Sequence, residues 1–196
     1  SGQVPTPLIG NDAFQEVDSV GITRPCVKHN FLVKDVTKLA ETVKKAFYIA
    51  TTGRPGPVLV DMPKDVQIQC SEVREWPAPG VADAFPEPDN DLIGEAAAMI
   101  NEARRPMLYL GGGVVHSGAS ALAVELAEKQ SLPTVMTLMA LGTMPVDHPL
   151  SLGMLGMHGA RCANMLLDEC DLLIAVGARF DDRATGKVAA FCPQAK

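Results

Sequence analysis

The sequence predicts an α/β protein made of parts of two doubly wound parallel-sheet domains joined by a proline-rich linker. Short, continuously apolar strands alternate with segments of helical periodicity, which is typical of parallel sheets covered on both faces. Four prolines fall between positions 77 and 88. Because proline lacks an N–H and fixes φ, this run fits neither a helix nor a central strand. The linker therefore separates residues 1–76 from residues 89–196.

The first part contains one clear helix and one clear strand. Asp35 and Thr37 are suitable caps for a helix that runs to about Ala50. Glycine and proline at 53–56 end the helix, and the apolar run at 57–61 predicts a buried strand. The apolar face predicted for the helix holds Leu39, Val43, Phe47 and Ala50.

The second part repeats the alternation of helices and strands more regularly. A helix is predicted over about 91–103, with Leu92, Ala96, Met99, Ile100 and Ala103 on its apolar side. Another is predicted near 119–130, where Leu122 and Leu126 stand four residues apart, and a short one near 160–167. The predicted strands are 107–110, 133–137 and 172–176. Residues 153–159 hold three glycines and a histidine and predict an irregular loop with no element of its own.

Three segments directly follow predicted strands, namely 111–113, 137–139 and 177–183. Because ligands of parallel sheets bind beyond the carboxyl ends of the strands, we expect these segments to gather at one edge and form a site. The three glycines at 111–113 let a ligand approach the backbone, and their N–H groups can face a phosphate, although a tight turn explains them equally well. His116 stands where the dinucleotide fingerprint has its third glycine, so that motif fails.

Charged side chains cluster after the last predicted strand. Arg179 and Arg183 are planar donors that could bind a pyrophosphate or a ribityl chain, and Asp181 and Asp182 could accept from hydroxyls. Solvated ion pairs are the alternative for this cluster. His158 could contact a ligand, although a lone histidine is more often structural. Arg54 and Lys64, at the two ends of the first predicted strand, can be either ligand contacts or solvated residues.

Composition excludes several classes of function. The net charge of -6 argues against a general nucleic-acid binder, and no apolar run is long enough to span a bilayer. Five cysteines without a C-x-x-C pair argue against a zinc site or a disulfide framework and favour a reduced, cytoplasmic setting. No metal site is predicted. Because the chain opens on Ser1 rather than an initiator Met, we expect an internal piece of a longer protein.

Motifs along nearly the whole chain resemble the large catalytic subunit of acetohydroxyacid synthases, also called acetolactate synthases, of bacterial type. The segments that carry the resemblance are GQVP at 2–5, IGNDAFQE at 9–16, KHN at 28–30, GRPGPV at 53–58, DMPKD at 61–65, TLM at 137–139, GMLGMHG at 153–159 and GARFDDR at 177–183. The GRPGPV motif is shared by many thiamine-diphosphate enzymes, whereas GMLGMHG together with GARFDDR is more specific.

The resemblance implies the thiamine-diphosphate enzyme fold, with residues 1–76 from the pyrimidine-binding domain and 89–196 from the start of the central FAD-binding domain. It places on FAD Arg54, Gly112, Thr137, Leu138, Leu155, Gly156, Met157, His158, Gly177, Ala178, Arg179, Asp181 and Arg183. It places in the substrate channel Pro5, Phe14, Gln15, Lys28, Lys64 and Asp182, with Gln15 near thiamine diphosphate. Thr6 and Pro7 depart from the basic residues that some relatives have there.

The activity implied by the resemblance is decarboxylation of pyruvate and carboligation to a second 2-ketoacid. The products are 2-acetolactate or, with 2-ketobutyrate, 2-aceto-2-hydroxybutyrate, for branched-chain amino-acid biosynthesis. Thiamine diphosphate, Mg2+ and FAD are the implied cofactors, and a catalytic homodimer and a small regulatory subunit the implied partners. The catalytic glutamate and the Mg2+ motif are expected outside this chain, so by itself it is expected to be inactive. Another thiamine-diphosphate carboligase or oxidase, a non-catalytic FAD-binding module and an NAD-dependent dehydrogenase are the alternatives.

Overall fold

The computed structural model describes residues 1–73, 75–80 and 86–196. The chain divides into two compact units, Ser1–Glu87 and Pro88–Lys196, and each is described by itself. The predicted linker at 77–88 has no helix or strand at 77–80 or 86–88, and its residues 81–85 lie outside the described part. In the described ranges, no helix is long and apolar enough to cross a membrane.

The first unit is built on a three-stranded parallel sheet. Its strands are β1 (Gly2–Gln3), β2 (His29–Leu32) and β3 (Val58–Pro63), in the order β1-β3-β2. The helices of this unit are α1 (Ser19–Thr23), α2 (Leu39–Thr51) and α3 (Lys64–Ile68), with 3-10 turns at Thr6–Leu8 and Val36–Lys38. The predicted helix and strand are confirmed. The carboxylate of Asp35 accepts from the N–H of Thr37 at 2.9 Å, but it caps the 3-10 turn Val36–Lys38 that precedes α2, and no side chain caps α2 itself.

The apolar face predicted for α2 is wrong. Its buried residue is Ala46, whereas Phe47 is 71% exposed and Val43 36% exposed. The helix packs on β3 and β2 with Ala46 as its buried residue, and Leu39 and Ala50 of the predicted face are half-buried. Val43 and Phe47 lie on the outer side.

The second unit is a four-stranded parallel sheet in the order β6-β5-β4-β7. Its strands are β4 (Pro106–Leu110), β5 (Thr134–Met136), β6 (Ser151–Met154) and β7 (Leu172–Val176). Its helices are α4 (Asn90–Glu102), α5 (Gly112–His116), α6 (Ser120–Gln130), α7 (Arg161–Glu169) and α8 (Asp182–Thr185), with 3-10 turns at Leu138–Ala140 and Val188–Ala190. The α/β class predicted from the sequence is confirmed in both units.

Side chains that alternate along β4 separate the core of the second unit into two layers. Leu108 and Leu110 belong to a cluster with residues of α5 and α6, and Met107 and Tyr109 belong to a cluster with residues of α7. The four side chains are at most 3% exposed. A central strand buried on both faces is therefore observed, as its continuous apolar sequence predicts.

Three expectations for the second unit need correction. Every residue of α4 but one is exposed, including Leu92 and Met99 of its predicted apolar side. In α6, Ala123 and Ala127 face the core and the predicted Leu126 packs against it half-buried, while Leu122 is 68% exposed. Residues 153–159 are not wholly irregular, because the first two of them complete β6, which pairs with β5 through an irregular register.

Candidate cofactor-binding and substrate site

The strand order places a switch point at the carboxyl end of β4. From β4 the chain proceeds to β5 and then β6 on one side, and returns to β7 on the other side. Ligands of open α/β sheets bind in the crevice formed where the strand order reverses in this way. The predicted convergence of segments 111–113, 137–139 and 177–183 is confirmed, since they follow β4, β5 and β7, which are neighbours.

Backbone hydrogen bonds join these turns directly. The Gly113 N–H donates to the Gly177 carbonyl at 3.0 Å, and the Thr137 N–H donates to the Leu110 carbonyl at 2.9 Å. A fourth segment joins them, because the Leu155 N–H donates to the Met136 carbonyl at 3.3 Å. Four strand ends therefore form one continuous surface.

The close approach of two turns explains the glycines at this edge. A Cβ on Gly111 would lie 2.2 Å from the Gly177 oxygen, and one on Gly113 would lie 2.8 Å from the Gly177 Cα. Gly111 and Gly113 also use their N–H groups, which donate to the carbonyls of Val176 and Gly177. The tight-turn explanation therefore accounts for two of the three glycines, and their N–H groups are already bonded within the protein. The third glycine, Gly112, is the first residue of α5, so its N–H lies at the start of that helix.

Thr137 supplies an unsatisfied polar group at the same edge. Its Oγ1 is buried and has no hydrogen-bond partner in the described part of the chain. A buried hydroxyl without a partner is costly, so such a group in a native structure needs an explanation. Beyond it, Leu138 is 69% exposed and Met139 is also exposed, and these side chains form an apolar rim beside the polar group.

The loop after β7 carries two exposed ion pairs. Arg179 contacts Asp181 at 3.3 Å, and Arg183 contacts Asp182 at 3.2 Å. The second carboxylate oxygen of Asp181 caps α8 by accepting from the Ala184 N–H at 3.2 Å. Both pairs are solvated ion pairs, the alternative to ligand binding that the sequence leaves open for this cluster. Exposed pairs of this kind contribute little to stability. Both guanidinium groups are therefore free to exchange their partners at low cost.

Phe180, which sequence reasoning missed, fixes this loop. Its backbone is left-handed with φ 57°, and its ring packs edge-on against Tyr109 at 5.4 Å and Phe191 at 6.2 Å. The Tyr109 hydroxyl is buried without a partner among the described residues, and burial, followed by the charge of Asp181, raises the pKa of this phenol. The sequence signal that could have found Phe180 is an aromatic residue placed between two charged residues, Arg179 and Asp181.

A second missed residue, Asn164, holds the loop after β6. Its amide oxygen accepts from the Gly156 N–H at 2.8 Å, and its amide nitrogen donates to the Gly156 carbonyl at 2.9 Å. The Met157 N–H donates to the Arg183 carbonyl at 2.8 Å, so this loop also touches the loop after β7. Asn inside a helix is unfavourable unless its side chain has a specific partner, and that was the signal for Asn164.

These two loops form a cleft of about 330 Å³. Four of the predicted site residues line it, namely Gly156, Met157, Asp182 and Arg183. His158 is exposed beside it, and the Ala178 side chain is partly buried. Leu155 is 4% exposed and belongs to the core, so its side chain does not face a ligand and any contact from it would come from its backbone.

In the first unit, Pro5 and Lys64 lie at the carboxyl edge of the sheet, after β1 and β3. The Thr6 N–H donates to the Asp65 carboxylate at 2.9 Å and its hydroxyl donates at 3.2 Å. The first of these bonds is the main reason that the pKa of Asp65 is lowered. The segment with Pro5 is thereby held against the helix that Lys64 begins.

Phe14 and Gln15 lie on a loop organised by Glu16. The carboxylate of Glu16 accepts from the N–H groups of Gly10 and Ala13, and these bonds lower its pKa, that of Gly10 most. The loop presents Phe14 at 91% exposure and holds Gln15 in a left-handed conformation with φ 63°. Two neighbouring predicted channel residues are thus on a compact loop of the same unit.

Lys28 and Arg54 lie at the opposite end of this sheet, before β2 and β3. The Lys28 ammonium donates to the carbonyls of Ile49 and Thr52, the latter at 2.7 Å, and so caps the end of α2. Its methylenes approach Gly56 in the turn that carries Arg54. The six residues of β3, about 17 Å long at the usual rise, separate these two residues from Pro5 and Lys64. Within the unit, the structure therefore does not bring all predicted channel residues together.

No group of three or more His, Cys, Asp or Glu side chains that could hold a metal ion occurs in residues 1–73, 75–80 and 86–196. The edge of the second unit instead combines backbone turns, a buried hydroxyl without a partner among the described residues, arginines in exposed ion pairs and an apolar rim.

Comparison with known proteins identifies relatives. Residues 93–196 match the family model of the central domain of thiamine pyrophosphate enzymes. The whole chain is 58% identical to the acetolactate synthase isozyme 1 large subunit of Escherichia coli, of which it covers 34%. It is 50% identical over its whole length to a probable acetolactate synthase large subunit of Methanocaldococcus jannaschii, again covering 34%, and 48% identical to the chloroplastic acetolactate synthase 1 of Zea mays, covering 31%. The chain therefore spans about a third of the length of the curated relatives it matches.

Proposed function

The chain belongs to the thiamine pyrophosphate enzymes, and from that premise we propose that the complete protein carrying this sequence joins two 2-ketoacids. Pyruvate is the donor, which loses CO2, and a second pyruvate or 2-ketobutyrate is the acceptor. The products are 2-acetolactate and 2-aceto-2-hydroxybutyrate, for the synthesis of valine, leucine and isoleucine. The observation that carries this proposal is the similarity, over the full length of the chain, to proteins named acetolactate synthase large subunits.

FAD is the ligand proposed for the second unit. The residues fit it because a flavin dinucleotide needs apolar surface, hydroxyl partners and anion donors together. Leu138 offers the apolar rim, Thr137 has a buried hydroxyl that finds no partner in the described part of the chain, and Arg179 and Arg183 can leave their weak ion pairs. The other residues proposed to contact FAD are Gly112, Leu155, Gly156, Met157, His158, Gly177, Ala178 and Asp181, together with Arg54 of the first unit.

Thiamine diphosphate with Mg2+ would supply the electron sink for decarboxylation. The part proposed for this chain is to bind and orient substrate through Pro5, Phe14, Gln15, Lys28 and Lys64, with Asp182 in the second unit. Lys64 carries a positive charge at a strand end, where it can attract the carboxylate of a 2-ketoacid. Phe14 can exclude water from the reacting carbonyl, because its ring is fully available on the surface.

Several broader features belong to the same proposal. A catalytic homodimer and a small regulatory subunit are the proposed partners, and the cytoplasm is the proposed location. We propose residues 1–76 as pyrimidine-binding domain and 89–196 as central domain. The chain by itself should not turn over, because it covers about a third of proteins that carry the activity.

Product analysis on the complete protein tests this proposal. The protein is freed of flavin, then given pyruvate, Mg2+ and thiamine diphosphate with and without FAD. Acetolactate that forms only with FAD supports both the activity and the flavin site. Acetolactate that forms equally without FAD contradicts the FAD assignments but still supports the proposed carboligation. No acetolactate under either condition refutes the proposed reaction and favours another thiamine-diphosphate activity.

A further inference from the structure

A buried carboxylate lies at the heart of the first unit and has no place in the proposed chemistry. Asp61 in β3 is 1% exposed, and its Oδ1 has no hydrogen-bond partner in the residues that the structure describes. Its Oδ2 receives one contact, from the Gln3 amide nitrogen at 3.4 Å. A buried carboxylate so weakly satisfied is costly, so its environment depends strongly on the one side chain that reaches it.

Gln3 reaches two backbone segments in addition to Asp61. Its amide nitrogen also donates to the Val17 carbonyl at 2.6 Å, and its amide oxygen accepts from the Val4 N–H at 2.8 Å. Val4 leads into Pro5, and Val17 ends the loop that carries Phe14 and Gln15. A single amide therefore ties together the segment that carries Pro5 and the loop that carries Phe14 and Gln15.

The loop from Gly10 to Val17 is organised internally by Glu16. Such a loop can move as one body, and the Gln3–Val17 bond is a fixed point between it and the sheet. We infer that Gln3, buttressed by the carboxylate of Asp61, is a positioning residue that sets Phe14 and Gln15 relative to Pro5. The inference rests on the proposed function, since it assigns these two residues to binding of the 2-ketoacid.

Four variants of the complete protein test the inference. Gln3→Met keeps the length of the side chain and removes its polar group, and Gln3→Glu places a carboxylate against Asp61. Gln3→Glu with Asp61→Asn exchanges donor and acceptor across the same contact. Gln67→Met is the matched control, because Gln67 makes a similar bond to the Met62 carbonyl at 2.7 Å in the same unit.

The expected result is a split between the kinetic constants. Gln3→Met and Gln3→Glu should raise KM for pyruvate by roughly tenfold, the factor that corresponds to the net contribution of about one hydrogen bond, with kcat within about twofold. Adding Asp61→Asn to Gln3→Glu should relieve the repulsion between the two carboxylates but leave KM raised, because a carboxylate at position 3 cannot donate to the Val17 carbonyl. Gln67→Met should change neither constant. An equal loss in kcat in the Gln3 variants, an unchanged KM in Gln3→Met, or a wild-type KM in the double variant would overturn the inference.

Hydrogen exchange separates this inference from the proposed activity. In Gln3→Met, the Val4 amide and the amides of residues 10–17 should exchange faster by roughly tenfold, because the acceptor of Val4 and the tether at Val17 are lost. Unchanged exchange at these amides contradicts the inference whatever the protein catalyses. If the wild-type protein forms no acetolactate, the proposed function fails, and the exchange result alone decides whether Gln3 holds the two segments together.

Discussion

Gly177 offers the sharpest test of how the switch-point edge is built. Its φ is +64°, and a Cβ added there would lie 2.6 Å from the Val114 nitrogen and 2.8 Å from the Gly113 Cα. These are backbone atoms, which cannot rotate away as a flexible side chain can. Gly177→Ala should therefore force the turn after β7 away from the turn after β4.

The magnitude follows from two costs. A left-handed backbone costs a non-glycine residue about 1–2 kcal/mol. The added methyl must also separate two packed turns by several tenths of an ångström, and overpacking of that kind costs about 1–3 kcal/mol. The expected loss is about 2–5 kcal/mol in the free energy of unfolding. At about 3 °C per kcal/mol for a protein of this size, Tm should fall by about 6–15 °C.

Gly118→Ala is the matched control. Gly118 has nearly the same φ, +71°, but a Cβ there would meet nothing within 4 Å. Gly118→Ala should therefore lose only about 1–2 kcal/mol, the cost of the left-handed backbone, and Tm should fall by about 3–6 °C. Both variants are measured by urea and thermal unfolding followed by circular dichroism. Equal losses in the two variants would refute the packing argument, because the close approach would then contribute nothing.

Three further predictions concern the site and its supports. Asn164→Leu should lower the free energy of unfolding by about 1–3 kcal/mol, measured in urea, because it strips both bonds from Gly156; no change would mean that the amide does not hold that loop. Thr137→Val should raise the free energy of unfolding of the flavin-free protein by about 1 kcal/mol, since it removes a buried hydroxyl that has no partner among the described residues, yet weaken FAD by roughly tenfold in a fluorescence titration; unaltered affinity would contradict its proposed contact. The backbone N–H groups of Arg104 and, second, of its neighbour donate to the Asp171 carboxylate and lower its pKa below the ordinary 3.8. The stabilising contribution of Asp171 is therefore complete above pH 3.8 and is lost as the pH falls through the lowered pKa. Asp171→Asn should remove this acid-side fall in the free energy of unfolding, measured in urea at a series of pH values. A pH dependence identical to that of the wild type would exclude Asp171 as its origin.

The second unit was largely predictable because its strands are continuous apolar runs. β4 and β7 contain almost only large apolar residues, and each is followed at once by glycine. β4 is buried on both faces, which needs such a run, whereas β7 at the edge of the sheet is buried only at Leu172. A turn at a crowded edge needs glycine, which is the second signal. The location of the candidate site follows from these two signals.

β6 escaped prediction because its sequence lacks that signal. It is short, contains Gly153 with a positive φ, and pairs with β5 through an irregular register. The apolar faces of α2 and α6 were misplaced for a different reason. In both helices the fully buried positions are alanines, Ala46 in α2 and Ala123 and Ala127 in α6, and hydrophobicity alone does not favour an alanine over the larger apolar residues beside it.

The contacts of Lys28, Asn164 and Gln3 could not be predicted from local pattern. Each side chain bonds a backbone group brought near by the tertiary fold, at separations from 8 to 24 residues along the chain. Periodicity reports which residues are buried, whereas these bonds depend on where a distant loop passes. Lys28 shows the consequence, since its ammonium donates to two carbonyls at the end of α2 that no local pattern brings near it.

The failed dinucleotide fingerprint has a physical explanation at the switch point. In that fingerprint the third glycine lets a long helix pack closely on its strand. Here α5 ends at His116 after five residues, and the close approach is made instead between Gly113 and Gly177 of the neighbouring turn. So short a helix has few aligned peptide dipoles, and two of the glycine N–H groups are already bonded. The charge of a bound pyrophosphate would therefore have to be met by guanidinium groups, which is the reason that Arg179 and Arg183 carry more of the FAD proposal than the glycines do.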